Sequence, residues 1–144
     1  GVMSRGLGDV YKRQVFQCEG TRLGILSDLG SMSPRVIEHY QDLDAISVEF
    51  NHDLELLQKG PYPAFLKTRV SGDFGHLNNA QASELLQRIV SDRLKTVVAC
   101  HISKTNNDTF RVKQASDHVL ARQDVQRLIA SQSEGFNWIE IGRP

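Results

Sequence analysis

Residues 78–100 read NNAQASELLQRIVSDRLKTVVAC, and two different periods meet in them. Ala82, Leu85, Leu86, Ile89 and Val90 fall at i, i+3, i+4, i+7 and i+8, one apolar stripe along a helix. Asn78 can cap that helix, with Gln81 three residues on as the partner of a capping box. The stretch from Leu94 to Cys100 then turns valine-rich and loses all alternation. That pattern marks a strand covered on both faces, as in a parallel sheet. A capped amphipathic helix feeding a buried strand is the repeating unit of a layered α/β domain.

The flanks carry the same alternation. Upstream, VFQC and RLGILS read as two strands turning at Glu19–Gly20. Ser33 as N-cap and Pro34 at the first helical position then start a helix. DAISVEF is a short apolar strand. NHDLELLQKG follows as a short helix ended by Gly60, and PYPAFLKTRV adds a turn or two of helix after its prolines. Downstream, DTFRVKQASDHVLA is the last helix. VQRLIAS and FNWIEI are expected as two closing strands around Ser133–Gly135.

The opening GVMSRGLGDVYKRQ fits none of this. It holds three glycines and scattered charge, with no period of two or 3.6. Residues 1–14 are read as non-native read-through, with a flexible native tail as the alternative, and residues 15–144 as the folded part. Without Arg5, Lys12, Arg13 and Asp9, the 17 basic and 17 acidic residues fall to 14 and 16.

Composition bounds the function. At 144 residues with 40% hydrophobic and 24% charged residues, the chain can build one core. Net charge near zero provides no global field for nucleic acid. No apolar stretch approaches the ~20 residues that span a bilayer, and no signal pattern opens the chain. Cys18 and Cys100 lack metal-type spacing and are expected to be reduced and buried, which points to the cytoplasm.

Three polar spots directly follow buried strands: Asp28 after LGILS, the triplet Asn51–His52–Asp53 after ISVEF, and His101 after TVVAC. Loops at one end of the strands are where layered α/β folds gather ligands. Carboxylate and imidazole arriving from different strand ends also suit a zinc ion. Bland readings stand beside these. Asp28 can be a turn residue bonding its own backbone, His101 an edge histidine, and His76 a solvated loop residue. His39 and His118 fall on helix surfaces.

Taken together, ILSDLG, EFNHDLELLQKGPYPAFLKTRV, GDFGHLNN and ACHISKTNN resemble the second half of a metallo-β-lactamase-fold hydrolase of the YycJ/WalJ branch. These are phosphoribosyl 1,2-cyclic phosphodiesterase-like or exonuclease-like proteins. The resemblance covers about residues 15–141. It implies an α/β chain forming the C-terminal half of an αββα sandwich, with a dinuclear centre of Zn²⁺, or Mn²⁺, that hydrolyses a phosphodiester. By position, Asp28 matches the carboxylate that bridges the metals and His101 a histidine on the second metal. His76 matches a histidine that protonates the leaving group. Asn51, His52, Asp53, Asn106 and Asn107 match branch signatures, expected to support the site or touch substrate. Lys67 and Arg69 can meet phosphate or form a solvated helix face. The family's HxHxDH motif has no counterpart here. The resemblance therefore implies that the missing N-terminal half is a partner, and that this chain alone is inactive. The implied substrate is a small cyclic phosphate or a nucleic acid end. The alternatives are an orphaned half-domain, or a thioester, lactone or lactam hydrolase of the same fold.

Overall fold

A computed structural model describes residues 2–4, 13–121 and 123–142. Its sheet has six strands in sequence order: β1 (Val2–Ser4), β2 (Arg13–Cys18), β3 (Thr21–Leu26), β4 (Ala45–Glu49), β5 (Thr96–Cys100) and β6 (Gln126–Ile129). β1, β2 and β3 pair antiparallel, and β3 to β6 pair parallel. The helices are α1 (Pro34–His39), α2 (Leu54–Lys59), α3 (Ala64–Ser71), α4 (Asn79–Ile89) and α5 (Thr109–Leu120).

Local chemistry fixes the helix starts. Ser33 accepts from the Val36 amide with Pro34 in the first turn, and Asp53 caps α2 through the Leu56 amide. Asn78 and Gln81 form the full capping box on α4. The stripe on α4 is the one expected: Ala82, Leu85, Leu86 and Ile89 are all buried. Each large side chain there contributes about 1.5–3 kcal/mol of burial.

Cross-strand partners share a face of the sheet. Val15, Ile46 and Val97 lie on one face, as do Leu26, Val48 and Ala99. These six join α4, Val112 and Leu120 of α5, and Tyr40 and Leu43 in a single core cluster. The other face carries Phe16, Leu23, Ile25, Val98, Cys100 and Leu128. Of these only Val98 is buried, and none belongs to the core cluster. At the N-terminal ends of the strands, Asp44 accepts from the Arg22 amide and takes a two-pronged bond from Arg93.

Three expectations change. β2 begins at Arg13, two residues before the expected boundary, and Val2–Ser4 pair with its far side. Residues 1 and 5–12 lie outside the described residues, so most of the expected tail is not at issue. FNWIEI does not form a strand. After β6 only a single bridge, Ser131 to Gly135, is made, and Trp138 is fully exposed. Phe136 and Trp138 are exposed, and Ile141 lines a cavity with Phe16 and Leu23 without pairing to a strand. Cys18 is exposed and Cys100 half-buried rather than both buried, and both are free thiols. Cys18 ends β2 beside the turn and points to the face without core. Burial and the contact with Ser47 at 3.3 Å dominate around Cys100, whose thiol pKa is raised chiefly by desolvation. None of the described helices is long and apolar enough to cross a membrane.

Candidate functional site

Parallel pairing places the C-terminal ends of β3, β4 and β5 along one rim of the sheet. Asp28 sits two residues beyond β3, Glu49 is the last residue of β4, and His101 follows β5 directly. His76 reaches the same rim from the loop between α3 and α4. Its Nδ1 is 2.6 Å from Glu49 Oε1 and 3.2 Å from Asp28 Oδ1. The Asp28 amide donates to Glu49 Oε2 at 3.1 Å. His101 Nδ1 stands 3.7 Å from Glu49 Oε1. Asp28, Glu49 and His76 offer ligand atoms within 4.8 Å of one another, and His101 is outside that tight group.

Asp28 and His101 share a backbone feature. Their φ angles are +54° and +53°, left-handed for non-glycine residues. The reversal turns each side chain over the strand end at a cost of about 1–2 kcal/mol. A His101→Gly chain should therefore be more stable than His101→Ala by about 1 kcal/mol, since glycine adopts this conformation without penalty. Paired thermal melts check it. Equal melting temperatures would mean that the left-handed geometry is not a strain.

Glu49 is the residue that sequence reasoning missed. It is fully buried, and a buried carboxylate must be hydrogen-bonded. One oxygen takes the His76 ring and the other the Asp28 amide, so it locks both candidate groups together. Its signal was an acid at the end of an otherwise apolar strand, AISVEF.

The signature amides do structural work. Asn107 and Asn79, both buried, exchange reciprocal bonds of 2.9 Å, and Asn107 also donates to the Phe50 carbonyl. Asn51 donates to the His101 carbonyl at 3.0 Å, and its own carbonyl accepts from the Ser103 amide. The Asn106 carbonyl accepts from the Asp53 amide, while the Asp53 side chain caps α2. Three loops are thereby sewn together beneath Asp28, His76 and His101. Lys67, a phosphate candidate, donates to the Gln58 carbonyl at 2.6 Å, and Arg69 is exposed.

His52 belongs to this support. It is fully buried, and its Nδ1 lies 3.2 Å from Asn51 Oδ1. Burial first, then the neighbouring His76, lower its pKa from 6.5 to about 4, against a smaller opposing pull from Asp53. The unfolded chain thus takes up this proton first. The stabilising contribution is complete above pH 6.5 and is lost as pH falls through 6.5 towards about 4, by no more than about 3 kcal/mol. Urea midpoints at pH 7 and pH 4.5 should differ less in His52→Gln than in the parent chain. An equal difference would assign the acid sensitivity elsewhere.

Oxygen and imidazole donors of this kind fit a zinc or manganese ion. Asp28, Glu49 and His76 are close enough to share one ion, whereas the resemblance assigns the metal to Asp28 and His101. No family model matches the chain. It is 37% identical over 101 residues to a protein of Streptococcus pneumoniae named exodeoxyribonuclease WalJ, covering 70% of this chain and 38% of that one. It is 30% identical over 105 residues to exodeoxyribonuclease YycJ of Bacillus anthracis, covering 73% and 40%. The chain spans about two fifths of the length of these relatives. Among solved structures it resembles the metallo-β-lactamase fold protein YhfI of Bacillus subtilis. The TM-score is 0.58 at 14% identity, over 88% of this chain and 43% of that one. The chain belongs to the YycJ/WalJ-like proteins of the metallo-β-lactamase fold.

Proposed function

We propose that this chain supplies one half of a metal-dependent phosphodiesterase site of exonuclease type. The observation that carries the reading is the meeting of Asp28, Glu49 and His76 at one strand rim with His101 beside them. Asp28 and His101 would hold the metal, zinc or manganese. When bound, the metal supplies Lewis-acid charge and an activated water for attack on phosphorus.

The chain's own residues then divide the remaining work. Glu49 accepts from His76 Nδ1, which fixes the ring and directs its other nitrogen outward. His76 hands a proton to the departing ester oxygen, since an alkoxide leaves poorly without one. The Asn51, Asn79, Asn106 and Asn107 bonds keep the loops from drifting. Free thiols on Cys18 and Cys100 fit a reducing, cytoplasmic setting.

Two ligands do not make a catalytic zinc site, which takes three protein donors. The remaining donors would come from a separate part of the sandwich, packed on the sheet face of Phe16, Leu23, Ile25 and Leu128. Half-exposed apolar side chains over a whole sheet face call for a cover of that kind. The second reading, an inactive half-domain, describes this chain taken alone.

Zinc titration against a chromophoric chelator tests the assignment. The chain should bind zinc weakly, and Asp28→Ala should abolish that binding. It should not hydrolyse bis-p-nitrophenyl phosphate, whereas a protein completed with a related N-terminal half should. Zinc retained by Asp28→Ala, or hydrolysis by the chain alone, would overturn the division of ligands.

A further inference from the structure

Beside His76 lies a cavity of about 330 Å³. Its walls include Tyr62, Val70, His76, Lys104, Thr105 and Asn106. The volume is at the small end of the ~300–1,000 Å³ usual for ligand sites, suited to one nucleotide and too small for a duplex. No carboxylate is among the lining residues, and their ionisable side chains are Lys104, His76 and Tyr62. The Lys104 side chain is exposed and forms no ion pair among the described residues. Such a lining favours an anion.

Tyr62 adds an aromatic face. It stands between Pro61 and Pro63, whose fixed backbone angles limit its freedom. An aromatic ring on a restrained backbone is a platform on which any base can stack. His76 is the shared wall: its Nδ1 side faces Glu49 and Asp28, and the ring also borders the cavity.

We infer that this cavity is the subsite for the leaving-group nucleotide, with its base on Tyr62 and its phosphate at Lys104. The inference rests on the phosphodiesterase reading and names where that substrate sits. The scissile ester then lies between Asp28 and the cavity, so the oxygen that departs does so beside His76. Stacking on Tyr62 tolerates every base, so the subsite selects for a nucleotide without selecting its sequence.

Thymidine 5′-monophosphate, titrated into the 144-residue chain and followed by backbone amide NMR, tests it. Shifts are expected at Tyr62, Val70, His76 and residues 103–106. Lys104→Glu and Tyr62→Ala should each weaken binding by about tenfold. Lys104 is exposed and Tyr62 half-buried, and an unchanged spectrum in the absence of nucleotide verifies that both variants fold. The same titration run in the presence of a chelator should be unchanged, which keeps the outcome independent of the metal assignment. The inference falls if the shifts map elsewhere, if Lys104→Glu binds equally well, or if inorganic phosphate binds as tightly at the same amides.

Discussion

Replacing His76 with alanine in a protein completed with its N-terminal half is expected to lower phosphodiester hydrolysis by ~10²–10⁴-fold, the range for loss of a general acid. Metal content should stay unchanged. The expectation follows from the bond to Glu49. At 2.6 Å from a buried carboxylate, Nδ1 is held as a donor, which leaves Nε2 as the nitrogen that faces either a leaving group or a metal, and metal content decides between the two. Glu49→Gln should then give a smaller loss, about 10–100-fold, because it loosens the ring without removing it. Substrates with a good leaving group separate the roles further. For p-nitrophenolate, which departs without protonation, the His76→Ala defect should shrink. Metal lost along with activity would make His76 a ligand, and Asp28, Glu49 and His76 would then be read as a three-donor cluster.

Much of this site was legible because its residues follow strands. Asp28 and His101 could be placed at a common rim once β3, β4 and β5 were read as parallel, since parallel strands end on the same side. His76 came from the resemblance of GDFGHLNN to the family, since its position before the α4 cap alone fits a solvated loop residue equally well. Glu49 escaped because it lies within a strand, where period and apolar neighbours dominate the reading. Its charge was visible, but its two partners come from residues 21 and 27 positions away, and no local pattern connects them. The signature asparagines left two expectations open, support of the site or contact with substrate. Asn107 bonds Asn79 and the Phe50 carbonyl, which is a supporting arrangement. Buried loops need such partners for their backbone groups. FNWIEI shows the limit of alternation as a signal: the pattern makes a strand only where a neighbouring edge and a buried face both exist.

Gly30→Ala is expected to damage fold and site together. Gly30 closes the SDLG motif, two residues after Asp28. A Cβ there would lie 2.2 Å from the Gly72 carbonyl oxygen and 2.6 Å from the carbonyl of Asp73. Both are backbone atoms of the loop that delivers His76, so no side-chain rotamer can relieve the clash. Gly75 shows the same constraint from within that loop, where a Cβ would meet the Val70 carbonyl oxygen at 2.2 Å. The Asp28 loop can touch the His76 loop only because Gly30 carries no side chain at the contact. Forcing them apart should cost about 1–3 kcal/mol, as overpacking does, and must lengthen the path from Asp28 to His76. Denaturant midpoints and zinc affinity should therefore fall in the same variant. Gly20→Ala is the contrast: its Cβ meets nothing within 4 Å, so only its φ of +82° is strained, and zinc affinity should hold. A Gly30→Ala chain of unchanged stability and zinc affinity would show that the loop contact does not set the site.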